Sequence, residues 1–247
     1  DLDVMSEKTG MIPEDWQSRL PHNSAPYNTT IVFLVRAGNP KGVENWDDLA
    51  QPGIEVVTPN PKTSGGARLN YLAAWGYALR QPGGNEDSAR EFLRAIYANT
   101  DGLESGARDS TTKFAHNETG DVLITWENEA FLVQEEFGAD KVEIVVPSIS
   151  ILGEPPVTVV DLYATAHGTT EVAQAYLEYL YSPVGQRLAA KHYFRPSEPE
   201  HADAADMERF VDVERFSVDE VFGSWREAQQ THFDDGGVFD DIYAVGN

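Results

Sequence analysis

The sequence predicts an α/β fold, and three observations carry that prediction. Short apolar, β-branched runs recur at 31–36, 54–58, 121–125, 142–146 and 157–163. Helical patterns fill the intervals, and such alternation of strand and helix predicts a largely parallel sheet. The chain's 247 residues suffice to bury a sizeable core and to form two lobes.

Taken in order, the run Ile54-Glu55-Val56-Val57-Thr58 leads into a turn at Pro59-Asn60-Pro61 and then the triplet Ser64-Gly65-Gly66. A helix over 67–79 follows, with Leu69, Leu72, Ala73 and Leu79 at helical spacing. The next helix, 88–98, sets Phe92, Leu93 and Ile96 on one face, and a third covers 127–137. Beyond Tyr163 the pattern is mostly helical: 171–181 aligns Val172, Tyr176, Tyr179 and Leu180. Ser182-Pro183 then reads as an N-cap with proline at the first helical position. Ser217 with Glu220 makes a capping box ahead of Val218, Val221, Phe222 and Trp225. The polar, acidic stretch 196–206 reads as an exposed connection.

Composition excludes several functions. With 41 acidic residues against 18 basic, the formal charge is −23, which argues against nucleic acid, whose binding needs clustered Lys and Arg. So acidic a surface suits a protein that stays solvated in concentrated salt. No apolar run approaches the ~20 residues that span a bilayer, so the chain is expected not to be membrane-embedded. Cysteine is absent, leaving neither a disulfide frame nor a thiol nucleophile.

The triplet Ser64-Gly65-Gly66 is a candidate anion site. Ser64 can cap the helix, the glycines let main-chain N–H groups approach a ligand closely, and the positive dipole end favours an oxyanion. Around it lie Ser24-Ala25-Pro26-Tyr27, Thr30-Ile31-Val32-Phe33-Leu34-Val35-Arg36 and Gly38-Asn39-Pro40-Lys41. Further on come Ser105-Gly106-Ala107-Arg108, Gly120-Asp121-Val122-Leu123-Ile124-Thr125-Trp126-Glu127-Asn128-Glu129 and Tyr179-Leu180-Tyr181-Ser182-Pro183-Val184-Gly185-Gln186. The last block is Val218-Asp219-Glu220-Val221-Phe222-Gly223-Ser224-Trp225. In these blocks and their order the chain resembles the periplasmic sulfate- and thiosulfate-binding proteins of bacterial ABC importers.

That resemblance implies a type II periplasmic-binding-protein fold, with two lobes, hinge crossovers and a ligand cleft that closes on a dianion. The crossovers would be 30–36 and 157–163, dividing the chain into a remnant of the first lobe (1–29), a central lobe with hinge strands (30–163) and C-terminal helices completing the lobes (164–247). It begins near Asp1, whereas family members carry roughly 60 further residues, on the order of half a small domain, before that point. Those residues would supply early strands of the first lobe and part of the site. Asp1-Leu2-Asp3-Val4 has no basic start, apolar core or small-residue cleavage site of a signal peptide. The resemblance further implies that Ser64 offers its hydroxyl, Gly65, Gly66 and Ala107 their N–H groups (Ala107 ahead of a short helix beginning near Ser110), and Trp126 its indole N–H. Arg68 and Arg108, the obvious arginine clamps, would order loops or neutralise carboxylates.

Other chemistry has less support. His22, His116, His167, His192, His201 and His232 lack the spacing of a zinc site. Asp234-Asp235-Gly236-Gly237 with Asp240-Asp241 resembles a calcium loop but lacks EF-hand spacing. A P-loop and a Gly-x-Ser-x-Gly elbow are missing. Glu127 and Glu129 serve helix-start electrostatics better than acid–base chemistry. The expectation is therefore a monomeric, periplasmic receptor with no cofactor, metal or catalytic residue, whose partners are sulfate or thiosulfate and, transiently, an ABC permease. The alternatives left open are a molybdate- or phosphate-type receptor of the same fold and a hydrolase using the carboxylates near Trp126.

Overall fold

The computed structural model describes residues 2–244; Asp1 and residues 245–247, the outer ends of the expected first and last segments, lie outside them. The chain forms two units: Asp1–Thr29 with Glu154–Phe210, and Thr30–Gly153 with Val211–Asn247. Residues 154–163 therefore group with the N-terminal residues, and the C-terminal stretch divides at Phe210.

The larger unit is built on a four-stranded sheet in the order Val56–Val57, Val122–Trp126, Ile31–Arg36, Val142–Val145. Ile31–Arg36 is central, and its alternating side chains enter two cores. Ile31, Phe33 and Val35 face one that includes Leu72 and Ile96, whereas Val32 and Leu34 face one with Phe114, Ala130 and Val133. Helices thus cover both faces of the sheet, as an α/β fold requires.

The expected parallel arrangement is corrected. Ile31–Arg36 runs antiparallel to both neighbours, and Val56–Val57 is parallel to Val122–Trp126. A strand buried on both faces is apolar throughout whichever way it runs, so its composition carries no direction. Direction is set by partners distant in sequence. The Arg36 guanidinium donates to the carbonyls of Phe114, Thr119 and Gly120 and lies 3.9 Å from the Phe114 ring centroid. It therefore pins the end of one strand beside the start of the next.

Helix starts follow their caps. Glu86–Ala98 begins ahead of the expected 88 because Asn85 and Ser88 form a reciprocal capping box. Gly65–Leu79 likewise begins directly after Ser64. In the middle of that helix, a Cβ at Gly76 would stand 2.1 Å from Phe216 Cζ, so the absent side chain is what lets Phe216 of the Glu214–Phe216 strand pack there. Ser217 and Glu220 make the expected capping box on Val218–Phe222.

In the smaller unit, Tyr27–Asn28 pairs antiparallel with Arg195–Pro196, and Thr170–Leu180 and Pro183–Lys191 are helices. Ser182 caps the latter, accepting from Gly185 N at 3.1 Å. The strand expected at 157–163 does not form. Val157 N donates to Ser24 O, and Asp161–His167 is a helix that Gly168 ends in the left-handed region. Asp161 also pairs with Arg19 at 2.8 Å. Here β-branched residues at 157–160 mimic a strand while tertiary bonds settle the backbone. The stretch 196–206 is more structured than a plain connection, holding the Pro199–His201 turn and the start of the Ala204–Met207 helix.

A buried histidine sits in the larger core. Tyr71 OH lies 3.0 Å from His232 Nδ1, inside a cluster with Trp75, Phe222 and Phe233. Burial, reinforced by the charge of Arg90, holds the imidazole pKa down to about 4, so the ring is neutral and the phenol can donate to Nδ1. The unfolded chain takes up this proton at its ordinary value while the folded chain does not, so the contribution is intact at neutral pH and lost as pH falls from about 6.5 to about 4. The expected loss is about 3 kcal/mol. Denaturant titrations should show a steeper fall over that window for the native chain than for His232→Gln, which cannot be protonated there.

Candidate anion-binding site

Ser64 is extended (φ −123°, ψ 123°), and its Oγ accepts from Ala67 N at 3.4 Å. Its own N–H donates to Asn60 O at 2.9 Å. Gly65 and Gly66 are the first two helical residues, where N–H groups have no acceptor within the helix. The preceding loop is held from within and without. Arg68 Nε donates to Pro61 O, Asn60 N to Glu104 O and Thr63 Oγ1 to Ser105 O. The last two bonds bring the stretch before Ala107 alongside.

Ala107 opens the helix Ala107–Thr111 after Gly106, which makes no side-chain cap. The helix starts at Ala107 itself, earlier than the expected position near Ser110. Trp126 ends its strand and stands at the N-cap of Glu127–Phe137, fixed by the bond from Glu127 N to Thr30 O at 2.9 Å. Among the described residues its indole Nε1 has no hydrogen-bond partner. A Cβ on Gly66 would lie 2.7 Å from that nitrogen, so the edge of the indole lies against the start of the Gly65–Leu79 helix.

These elements enclose a small pocket of ≈ 10 Å³ lined by Gly66, Ala107 and Trp126 together with Pro59, Asn70 and Ser110, room for about one water molecule. Three of the five expected residues therefore meet. Ser64 and Gly65 stand at the same helix start without lining the pocket. Asn70 and Ser110 are additions. Asn70 lies one helical turn beyond Gly66, a spacing that places both on one face; its Nδ2 donates to Thr58 Oγ1 and Ile124 O, each at 3.0 Å. Ser110 is three residues past Ala107 and 1% exposed, and its Oγ has no partner.

No formal charge enters the lining. Arg68 is occupied with its loop, and Arg108 is exposed. Lys62 is drawn into the calcium-like loop: its Nζ bonds Asp240 at 2.9 Å and the carbonyls of Phe233 and Asp234. An ammonium thus takes the place a metal cation would need, and the hydrogen bond from Lys62 holds the Asp240 carboxyl below its ordinary range. Elsewhere Glu198, Glu200 and His201 bring ligand atoms within 4.8 Å of one another, although His201 Nε2 already lies 3.3 Å from the Glu198 carboxylate.

Residues 10–195 match the family described as bacterial extracellular solute-binding protein. The chain belongs to that family. This solute-binding protein is 55% identical to the sulfate-binding protein of Escherichia coli strain K12, over 98% of its own length and 73% of the relative's. It is 49% identical to the thiosulfate-binding protein of Pseudomonas aeruginosa, over 99% and 73%. Among solved structures it resembles the sulfate-binding protein SubI from Mycobacterium tuberculosis H37Rv, with a TM-score of 0.80 and 32% identity over 92% of this chain and 76% of that one. Among the described residues no helix is long and apolar enough to cross a membrane.

The approach of Gly66 to Trp126 yields a stability test. Gly66→Ala should cost about 1–3 kcal/mol through overpacking. In a Trp126→Phe background, which removes the opposing nitrogen, it should cost less, with a coupling of at least about 0.5 kcal/mol. Urea unfolding of the four chains measures this; additive losses would show that the two residues do not press on each other.

Proposed function

We propose that this solute-binding protein captures sulfate, with thiosulfate as an alternative ligand, and delivers it to an ABC permease without any covalent step. The observation that carries the reading is the meeting of Gly66, Ala107 and Trp126, each with an N–H to offer, at one pocket whose lining carries no formal charge. Donors held by the fold before the ligand arrives stabilise an oxyanion without a countercharge, because no further ordering cost is paid on binding. Gly65 and the Ser64 hydroxyl, one and two residues back, add donors at the same helix start. The names of the relatives agree with such a ligand.

The protein works, in this reading, as a monomer in the periplasm, and neither a cofactor nor a catalytic group takes part. No carboxylate lines the pocket; Glu127 is buried and begins the helix after Trp126, where its charge suits the helix dipole. The acidic surface suits concentrated salt, which screens its repulsion of an incoming dianion within about 10 Å at 0.1 M, whereas donors at hydrogen-bond distance act unscreened.

Trp126→Phe keeps most of the ring and deletes the donor. Sulfate affinity should fall by roughly 1.5–3 kcal/mol, the worth of one hydrogen bond to a charged group, and unchanged affinity by calorimetry would remove Trp126 from the site.

Protonation state provides a second test. Sulfate near neutral pH accepts at every oxygen, while phosphate keeps at least one proton that would oppose an N–H. Each such mismatch costs about 1–3 kcal/mol, so phosphate should bind at least ~100-fold more weakly if two accumulate. The Ser64 hydroxyl could turn to accept that proton, and so could the Ser110 hydroxyl. Competition titrations at pH 6 and pH 8.5 decide: phosphate within a few-fold of sulfate at either pH would favour the phosphate-type alternative.

A further inference from the structure

Three hydroxyl residues follow one another near the end of the Ala107–Thr111 helix, and they behave differently. Thr111 Oγ1 donates back to Ala107 O at 3.1 Å, and Thr112 Oγ1 donates back to Arg108 O at 3.0 Å. This is the ordinary outlet for such a group in a helix, the carbonyl four residues earlier. Ser110 has the same opportunity at Gly106 O, which already accepts its N–H at 3.1 Å. Its hydroxyl does not use it. The Oγ is buried and has no partner, in a residue that is 1% exposed and lines the pocket beside Gly66, Ala107 and Trp126.

A buried hydroxyl left unpaired is costly, on the order of 1–3 kcal/mol, and one such group in a folded protein calls for a specific cause. The pocket supplies one. The Trp126 indole can only donate, and the lining carries no formal charge, so an anion seated there meets the indole as an acceptor. A serine hydroxyl rotates freely and can turn its proton toward that ligand.

We propose that the Ser110 hydroxyl is a further ligand-binding group of this pocket, donating a hydrogen bond to the bound oxyanion, beyond the donors carried by Ser64, Gly65, Gly66, Ala107 and Trp126. The proposal rests on the reading of the pocket as an oxyanion site. It accounts for both facts together: the hydroxyl forgoes its own helix because its partner arrives with the ligand. The unliganded protein therefore holds a destabilising group that binding relieves, a pattern expected where stability is given up for function.

The test compares the native chain with Ser110→Ala and, as a control on the same helix, Thr112→Ala. Calorimetric titration with sodium sulfate should give an affinity about 10- to 100-fold weaker for Ser110→Ala, the loss of one hydrogen bond to an anion, and within twofold of native for Thr112→Ala. In anion-free buffer the Tm of Ser110→Ala should equal or exceed the native value, since an unpaired group has been removed. Ser110→Ala with native sulfate affinity would overturn the proposal while leaving sulfate binding intact. A lower Tm in anion-free buffer would also overturn it, by showing that the hydroxyl serves a structural partner such as a bound water. Equal affinity losses in the two variants would trace the effect to the helix and overturn it as well. A native chain that takes up neither sulfate nor thiosulfate would remove the parent reading and this one together.

Discussion

At Gly66 there is room for a hydrogen and nothing larger, because a methyl carbon would stand 2.7 Å from Trp126 Nε1. That close approach joins two distant parts of the chain, a helix start and a strand end, and the rest of the site depends on it. The indole can hold its place only if the strand Val122–Trp126 is fixed, and that strand is fixed by its antiparallel neighbour, with Ile31 opposite Trp126 and Val35 opposite Val122. Arg36 locks the far end of the pair onto the carbonyls of Thr119 and Gly120. The sheet is therefore more than a core: it sets the position of the indole against the Gly66 helix start.

The electrostatics of the molecule divide by distance. At long range the charge of −23 repels any anion, yet salt screens it over a few ångströms to tens of ångströms according to ionic strength. At short range the pocket holds dipoles and no ions. The cations nearest to it in sequence are committed elsewhere or face solvent, Lys62 with the acidic loop and Arg68 with the Pro61 carbonyl. A buried formal cation would bind a dianion tightly and discriminate poorly among anions, whereas a set of directed donors asks for acceptors at defined places. A receptor that must also release its cargo is better served by the second.

Local chemistry was legible and long-range chemistry was not. Ser64, Ser182 and the Ser217–Glu220 pair cap helices as their types and spacing require, because a cap involves residues three or four apart. The helix Glu127–Phe137 likewise carries its own start, directly after Trp126. Strand direction failed, since Ile31–Arg36 is apolar on both faces and reads the same in a parallel or antiparallel sheet. Residues 157–160 failed for a related reason: β-branched composition favours extended backbone, but whether a partner strand lies alongside is decided by the fold, and here Val157 N finds Ser24 O instead. Asn70 sits one turn after Gly66, so helical spacing alone could have marked it. Ser110 gave no such signal.

By itself, then, the sequence determined the class of fold, the caps at Ser64, Ser182 and Ser217 and, through the order of its motifs, the family. These rest on residue type and short spacing, which act through bonds between near neighbours in the chain. Only the tertiary structure decided that Gly66, Ala107 and Trp126 meet, that Lys62 is taken up by the Asp240 loop, and that the Ser110 hydroxyl is left without a partner while Thr111 and Thr112 find theirs. The reason is that contact between remote residues, and still more the lack of one, is a property of where every other group has gone.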